Sequence, residues 1–474
     1  MPTESTATKL IVRLLKRLPR LTGAGFLALT LACAGPGVSD PPNVVVIVID
    51  TLRADHLTQY GYERDTSPAL AGLTAEATQF TRAYSTSSWT MPGVASLMTG
   101  LLPARHGVVR QSMVLPTRLG TLAEALGEAG WRTGGFSGNL FIGRKTGFDR
   151  GFETFEDHDG RVLAYPDAEA MLGQVVDWLQ SPAPSDAPFF LYFQPMNCHG
   201  PYRVPAERRS DLLGREPGAE FAYQGGPMKA ILKQGNLRVR QQVTPAYLQS
   251  LTDQYDTAIR YSVNVVERLF DELRTRDLYR NSLIIVTSDH GEELFDHGGF
   301  SHAYSLFEEV VRVPLWIKLP HQSHGAAVDL PTSLVDLHPT ILETVGIDPP
   351  PAVDGLSLGP VLRNETSLGE FRSRALVFDT QWTRRAVASA ILLGPYKLIE
   401  VDSNYEGLRN ARFLFDLDQD PRELNDLAEI EPETTEALAT RLQALRESFG
   451  EPPASEQPAA DLDRKTLKAL GYID

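Results

Sequence analysis

Residues Val44 to Ile49 (VVVIVI) form an unbroken β-branched run that stops on Asp50. A strand with one wet face alternates apolar and polar side chains. A run without alternation predicts burial on both faces, as in a parallel sheet covered by helices. Ser282–Thr287 (SLIIVT) and Phe189–Gln194 (FFLYFQ) repeat the pattern, with amphipathic helical stretches at Leu122–Ala129, Ala170–Leu179 and Tyr255–Leu273. This alternation predicts an α/β protein: an α/β/α sandwich with a mostly parallel central sheet. From about Phe371 the pattern changes to short β-like pieces and a helical stretch at Glu433–Phe449, predicting a smaller C-terminal α+β subdomain over residues 371–474. The larger domain is expected over residues 43–370, with the polar, irregular segment 203–245 as an insertion near the site entrance.

The N-terminus reads separately. Lys9, Arg13, Lys16, Arg17 and Arg20 precede an apolar run, Leu21 to Ala32, that is too short to span a bilayer comfortably. Ala32-Cys33-Ala34 fits a small-x-small cleavage site, so residues 1–34 are expected to be an export signal and 35–42 a linker. Cys33 also fits the modified cysteine of a lipoprotein, with a lipid anchor, although Thr30 stands where that pattern prefers Leu. An uncleaved anchor is the third reading. The expected location is exported: periplasmic, membrane-anchored or secreted. A formal net charge of −15 argues against nucleic acid or an anionic membrane as the main partner. Cys33 and Cys198 are the two cysteines of the chain, so no intramolecular disulfide is expected.

In open sheets of this kind ligands bind beyond the carboxyl ends of the strands. Two of the buried runs end there in acidic residues, at Asp50 and at Ser288-Asp289-His290. A carboxylate directly after a buried strand is costly unless solvated, paired or bound to metal. Asp50 therefore reads either as a metal ligand or as the N-cap of a helix over Thr51–Leu57. Between these runs lies Thr90-Met91-Pro92, with Gly100 ten residues after Thr90, framing a short helix. Thr90 reads either as a cap of that helix or as a hydroxyl nucleophile at its positive end. If its Oγ shares a cation with Asp50, Asp289 and His290, its pKa falls and it becomes usable. His199, just past FFLYFQ, and His302 are expected to bind the transferred group's oxygens or protonate the leaving group. His56, His106, His158, His297, His321, His324 and His338 are expected to be structural or exposed.

These segments resemble the sulfatase family of the alkaline-phosphatase superfamily over nearly all of residues 43–474. The resemblance is carried by Asn43–Asp50 with Thr51-Leu52-Arg53-Ala54-Asp55-His56, by Thr90-x-Pro92 through Leu97-Met98-Thr99-Gly100, and by His199-x-Pro201-Tyr202. It continues through Thr287–Glu293, Asp296-His297-Gly298, His302, Val311-Arg312-Val313-Pro314, Asp336-Leu337-x-Pro339-Thr340, Asp354-Gly355, Leu414-Phe415-Asp416-Leu417 and Leu470-Gly471-Tyr472. Residues 43–370 are thereby identified as a sulfatase-like catalytic domain.

The departures decide the chemistry. Sulfatases resemble one another in a Cys/Ser-x-Pro-x-Arg core whose first residue is oxidised to formylglycine. Here that position is Thr90 and the arginine position is Val94. Thr51 replaces a second acidic ligand, His290 stands in place of asparagine, and the family's Gly-Lys-x-His segment gives way to Ser137-Gly138-Asn139, which makes Asn139 a substrate-binding candidate. What remains is similar to phosphoethanolamine transferases and lipoteichoic acid synthases. That similarity implies one divalent metal ion, zinc or manganese favoured and calcium possible, on Asp50, Thr90, Asp289 and His290. It also implies attack by Thr90 on a phosphate mono- or diester, with a phosphothreonine intermediate. The alternatives are a sulfatase acting on aryl sulfates or sulfated glycans, and an inactive sulfatase-like protein that binds glycan esters. In each case the expected partner is a small-molecule or glycan ester.

Overall fold

The computed structural model describes residues 40–157, 166–182, 187–218, 242–365, 368–383, 386–402 and 411–450. The expected export signal, Cys33, His158 and most of the expected insertion lie outside the described residues. From Pro41 onward the described residues form one compact unit.

Its central sheet has the order β10-β2-β9-β6-β1-β5-β3-β4. These strands are β1 Asn43–Val48, β2 Thr78–Tyr84, β3 Arg132–Ser137, β4 Thr154–Asp157, β5 Phe189–Gln194, β6 Ser282–Thr287, β9 Arg312–Lys318 and β10 Ala326–Val328. β1 pairs in parallel with β5 and β6, and β3 in parallel with β4 and β5. The sheet is mixed rather than uniformly parallel, because β9 runs antiparallel to both β2 and β6.

The unbroken strand pattern has the predicted cause. Val44, Val46 and Val48 join one apolar cluster, with Val94, Leu97 and Met98 of helix Thr90–Thr99. Val45, Ile47 and Ile49 join the cluster on the other face, with Val175 of helix Ala168–Gln180 and Ile259 of helix Pro245–Thr275. Each of these strand residues is at most 1% exposed, and full burial of such a side chain contributes about 1.5–3 kcal/mol. The result is the α/β/α sandwich.

A short hairpin, β7 (Glu293–Leu294) with β8 (Phe300–Ser301), follows β6. The C-terminal subdomain is an antiparallel sheet, β12 Leu376–Thr383, β13 Ala386–Leu393, β14 Tyr396–Val401 and β15 Ala411–Asp416, with helix Pro432–Ser448. Val377, Ile391, Leu398 and Leu414 face that helix through Leu438 and Leu442. The opposite face, with Phe378, Ala390, Ile399 and Phe415, packs on Tyr84, Leu306 and Val311 of the larger domain. A buried ion network crosses the same junction: Lys397 Nζ lies 3.0 Å from both Glu308 and Glu423 carboxylate oxygens.

Candidate active site

The strand order explains how the site is assembled. β6, β1, β5 and β3 are adjacent, and Val48 of β1 pairs with Thr287 of β6. Asp50 and Asp289 each stand two residues beyond that pair, so the in-register ladder delivers both carboxylates to one place. Ser137 of β3 pairs with Gln194 of β5, which brings Gln194 and Asn139 to the same edge from the other side.

Asp50 caps no helix. Thr51 adopts a left-handed φ of 57°, and the chain then forms only a short 3₁₀ turn, Ala54–His56. The freed Asp50 carboxylate turns into the sheet's edge, where Oδ2 accepts from Asn139 Nδ2 at 2.8 Å and Gln194 Nε2 at 3.0 Å. Both amides are oriented by other partners: Phe141 N–H donates to Asn139 Oδ1 at 2.8 Å, and Tyr192 Oη–H to Gln194 Oε1 at 2.8 Å. Asp289 Oδ1 accepts from the His290 N–H at 3.1 Å and from the Thr51 N–H at 3.3 Å.

The second oxygens of these carboxylates, Asp50 Oδ1 and Asp289 Oδ2, are buried and accept no hydrogen bond. Asp50, Asp289 and the His290 ring each offer a ligand atom, and these atoms lie within 4.8 Å of one another. Burial first, and then the facing charge of Asp289, hold the Asp50 carboxyl well above the ordinary carboxylate range. Two buried, facing carboxylates are expensive in a protein interior without a compensating cation. The orphaned oxygens and the imidazole nitrogen therefore fit a divalent metal ion.

Helix Thr90–Thr99 begins at Thr90 with Trp89 as its N-cap, and ends on Gly100 at a left-handed φ of 70°. Thr90 is thus inside the first turn, and its side chain is not spent on capping. Its Oγ1 lies 3.2 Å from His290 Nε2 and accepts from Asn139 Nδ2 at 3.1 Å. His290 Nδ1 lies 2.8 Å from the Gly291 carbonyl, which fixes the proton there and turns the Nε2 lone pair toward Thr90. Gly93 permits the approach of helix to β6: a Cβ there would sit 2.7 Å from the Asp289 carbonyl oxygen.

His199 and His302 complete the cluster, with ring centroids 4.9 Å apart, and the His302 ring is 4.5 Å from that of His290. Desolvation by burial lowers all three imidazoles, His199 to about 3 and His290 and His302 to about 4. Glu292, given no role by the sequence, lies 2.9 Å from His302 Nδ1 and accepts from the Tyr202 hydroxyl at 3.2 Å. Burial raises its carboxyl to about 7. The available signal is an acidic residue two positions beyond His290, shortly after a strand predicted to be buried. Gln194 was likewise read only as the end of a strand.

Of the remaining histidines, His56 pairs with Asp256 at 2.7 Å, His106 meets Ser96 at 3.2 Å and His297 pairs with Glu309 at 2.6 Å. Cys198 is a free, buried thiol. Among the described residues no helix is long and apolar enough to cross a membrane.

A family model described as Sulfatase matches residues 42–347, and one described as N-sulphoglucosamine sulphohydrolase, C-terminal, matches residues 296–448. The chain is similar to arylsulfatase A of Bos taurus, 27% identical over 474 residues that cover 89% of this chain and 91% of that protein. It is also similar to N-acetylglucosamine-6-O-sulfatase of Bacteroides thetaiotaomicron, at 22% identity and covering 88% of each. Among solved structures, the phosphonate monoester hydrolase of Agrobacterium radiobacter shares the fold with a TM-score of 0.69 at 20% identity, covering 89% of this chain and 99% of that one.

Proposed function

This chain belongs to the sulfatase family, and from that premise we propose that it hydrolyses a phosphate mono- or diester through Thr90, with a phosphothreonine intermediate. The observation that carries the reading is Thr90 Oγ1, 3.2 Å from His290 Nε2 and beside two carboxylates that each keep one buried oxygen without a hydrogen bond. Asp50, Asp289, His290 and Thr90 would hold one divalent cation. A nitrogen donor among oxygens favours zinc or manganese, with calcium as the harder alternative. A cation held by these residues would lower the pKa of the threonine hydroxyl and offset charge on the transferring group.

The chain's own groups account for the rest. The Asn139 amide directs a lone pair of Thr90, and the first turn of helix Thr90–Thr99 favours an anion in front of it. Thr90 gives up its hydroxyl proton before attack; its oxygen then forms the Oγ–phosphorus bond as the ester phosphorus–oxygen bond breaks. His302, in the tautomer with its proton on Nε2, would give that proton to the leaving oxygen while the protonated Glu292 carboxyl returns one to Nδ1. His199 would bind an oxygen of the transferred group. Water, or an acceptor alcohol, then resolves the phosphothreonine. The substrate is a small-molecule or glycan ester.

A second reading, a sulfuric ester as substrate, is favoured by the names of the two curated relatives. Its weakness is chemical: a sulfated threonine lacks the second hydroxyl by which formylglycine expels sulfate. The test is turnover of nitrophenyl phosphate, a bis-nitrophenyl phosphodiester and nitrophenyl sulfate, with added zinc or manganese, by wild type and Thr90→Ala. Phosphoester turnover lost in the variant is expected. Dominant sulfate turnover would establish the second reading. No Thr90-dependent turnover, with metal binding intact, would make the chain an ester-binding protein.

A further inference from the structure

We propose that Thr380, a buried residue of the C-terminal subdomain, is a positioning residue that holds the loops of Thr90 and His302 in register. This inference rests on the proposed roles of those two residues.

β12 enters the larger domain directly behind the nucleophile. The Asp379 N–H donates to the Thr86 carbonyl at 3.0 Å. One residue on, the Ser88 hydroxyl donates to Thr380 Oγ1 at 2.9 Å, and Thr380 Oγ1 donates to the Ala303 carbonyl at 3.1 Å. The Ala303 N–H closes the circuit by donating to the Ser88 carbonyl at 2.8 Å. Ser88 stands two residues before Thr90, and Ala303 directly follows His302. A single hydroxyl thus joins both loops to a strand of another subdomain. Ser88, Ala303 and Thr380 are all buried, so no water competes for these bonds.

Two further observations say why such a tie is needed. Ser301 and Ala303, on either side of His302, both have a left-handed φ of 74°. Non-glycine residues persist in that region only when their surroundings over-determine them. On the other loop, the Trp382 ring of β12 meets the Trp89 ring edge-on with centroids 4.8 Å apart, directly before Thr90. The subdomain therefore braces the nucleophile's loop by packing and couples it to the His302 loop through the Thr380 hydroxyl.

The experiment compares Thr380→Val, which keeps the shape and removes the hydroxyl, with Thr380→Ser, which keeps the hydroxyl. Both are measured in the full chain. The first readout is kcat and KM on nitrophenyl phosphate with added zinc. The expected result is a fall in kcat of about ten- to a hundredfold for the valine variant, with KM within about twofold, as for reacting groups misplaced by a fraction of an ångström. The serine variant is expected to retain kcat. The second readout is amide hydrogen exchange, which needs no turnover: the Ala303 amide should exchange faster in the valine variant and not in the serine one. Unchanged kcat and exchange in the valine variant would overturn the inference, as would a serine variant that falls equally far. If wild type shows no Thr90-dependent turnover, the functional reading fails while the exchange measurement still decides the role of Thr380.

Discussion

Thr90 Oγ1 lies 3.2 Å from Nε2 of His290, two hundred residues away in sequence, because the first turn of one helix is packed against the end of β6. The contact places a hydroxyl among the ligand atoms that the two buried carboxylates present. Membership of the family supplies the general chemistry. The proposed mechanism rests on this contact, with an alcohol at the position that the family resemblance assigns to the oxidised residue.

The carboxylate pair should make stability depend on metal. Adding zinc or manganese to wild type is expected to raise the melting temperature, by the equivalent of about 2.7 kcal/mol at a hundredfold excess over Kd. Asp289→Asn is expected to lose most of that response. Without metal it should be no less stable than wild type, because it relieves the repulsion that raises Asp50. Equal metal stabilisation of both proteins would show that the ion binds elsewhere.

Glu292→Gln keeps the size of the side chain and removes the ionisable carboxyl behind His302. The expected outcome is a fall in kcat of about tenfold to a hundredfold, with KM little changed, as for loss of support to a general acid. A variant with wild-type kcat would leave Glu292 as a structural partner of Tyr202.

Gly93→Ala adds a methyl where 2.7 Å separates the built Cβ from the Asp289 carbonyl oxygen. The helix must shift from β6, at a cost of about 1–3 kcal/mol for overpacking. Because Thr90 and Asp289 sit on the two elements forced apart, metal affinity should weaken as well. Thermal denaturation with and without zinc checks both; unchanged metal response would contradict the geometry.

How much of this was legible in the sequence follows from the range of the interactions. Asp50, Asp289 and Thr90 could be found because each sits at the end of an element with a strong local signature. The direction of β9 could not, since VPLWIK has the same apolar pattern whichever way it runs. Asn139 was found as a position, but its bond to Asp50 depends on strand order. Gln194 and Thr380 carry no local signature, and Glu292 carries only its place two residues after His290: each is a polar residue whose partner is supplied by tertiary structure. Val94, in the family's arginine position, is simply core, 1% exposed among the apolar residues under the sheet.

The junction with the C-terminal subdomain should titrate. His297 lies 2.6 Å from Glu309 and bonds the Glu423 carbonyl; despite burial, which lowers it, bonding to Glu309 raises its pKa to about 9. A raised imidazole pKa stabilises the folded state fully below the unfolded value near 6.5, and the contribution is lost as pH rises through about 9. Wild type should therefore lose stability across that window relative to His297→Asn. Parallel stability curves for the two proteins would contradict the pairing.

The most direct test of the central claim is mass spectrometry of the enzyme quenched with acid during turnover of nitrophenyl phosphate in the presence of zinc. The account predicts a phosphoryl group on Thr90, absent from Thr90→Ala and from enzyme quenched without substrate. Turnover with Thr90 unmodified at every quench time, or a phosphoryl group on a different residue, would contradict it.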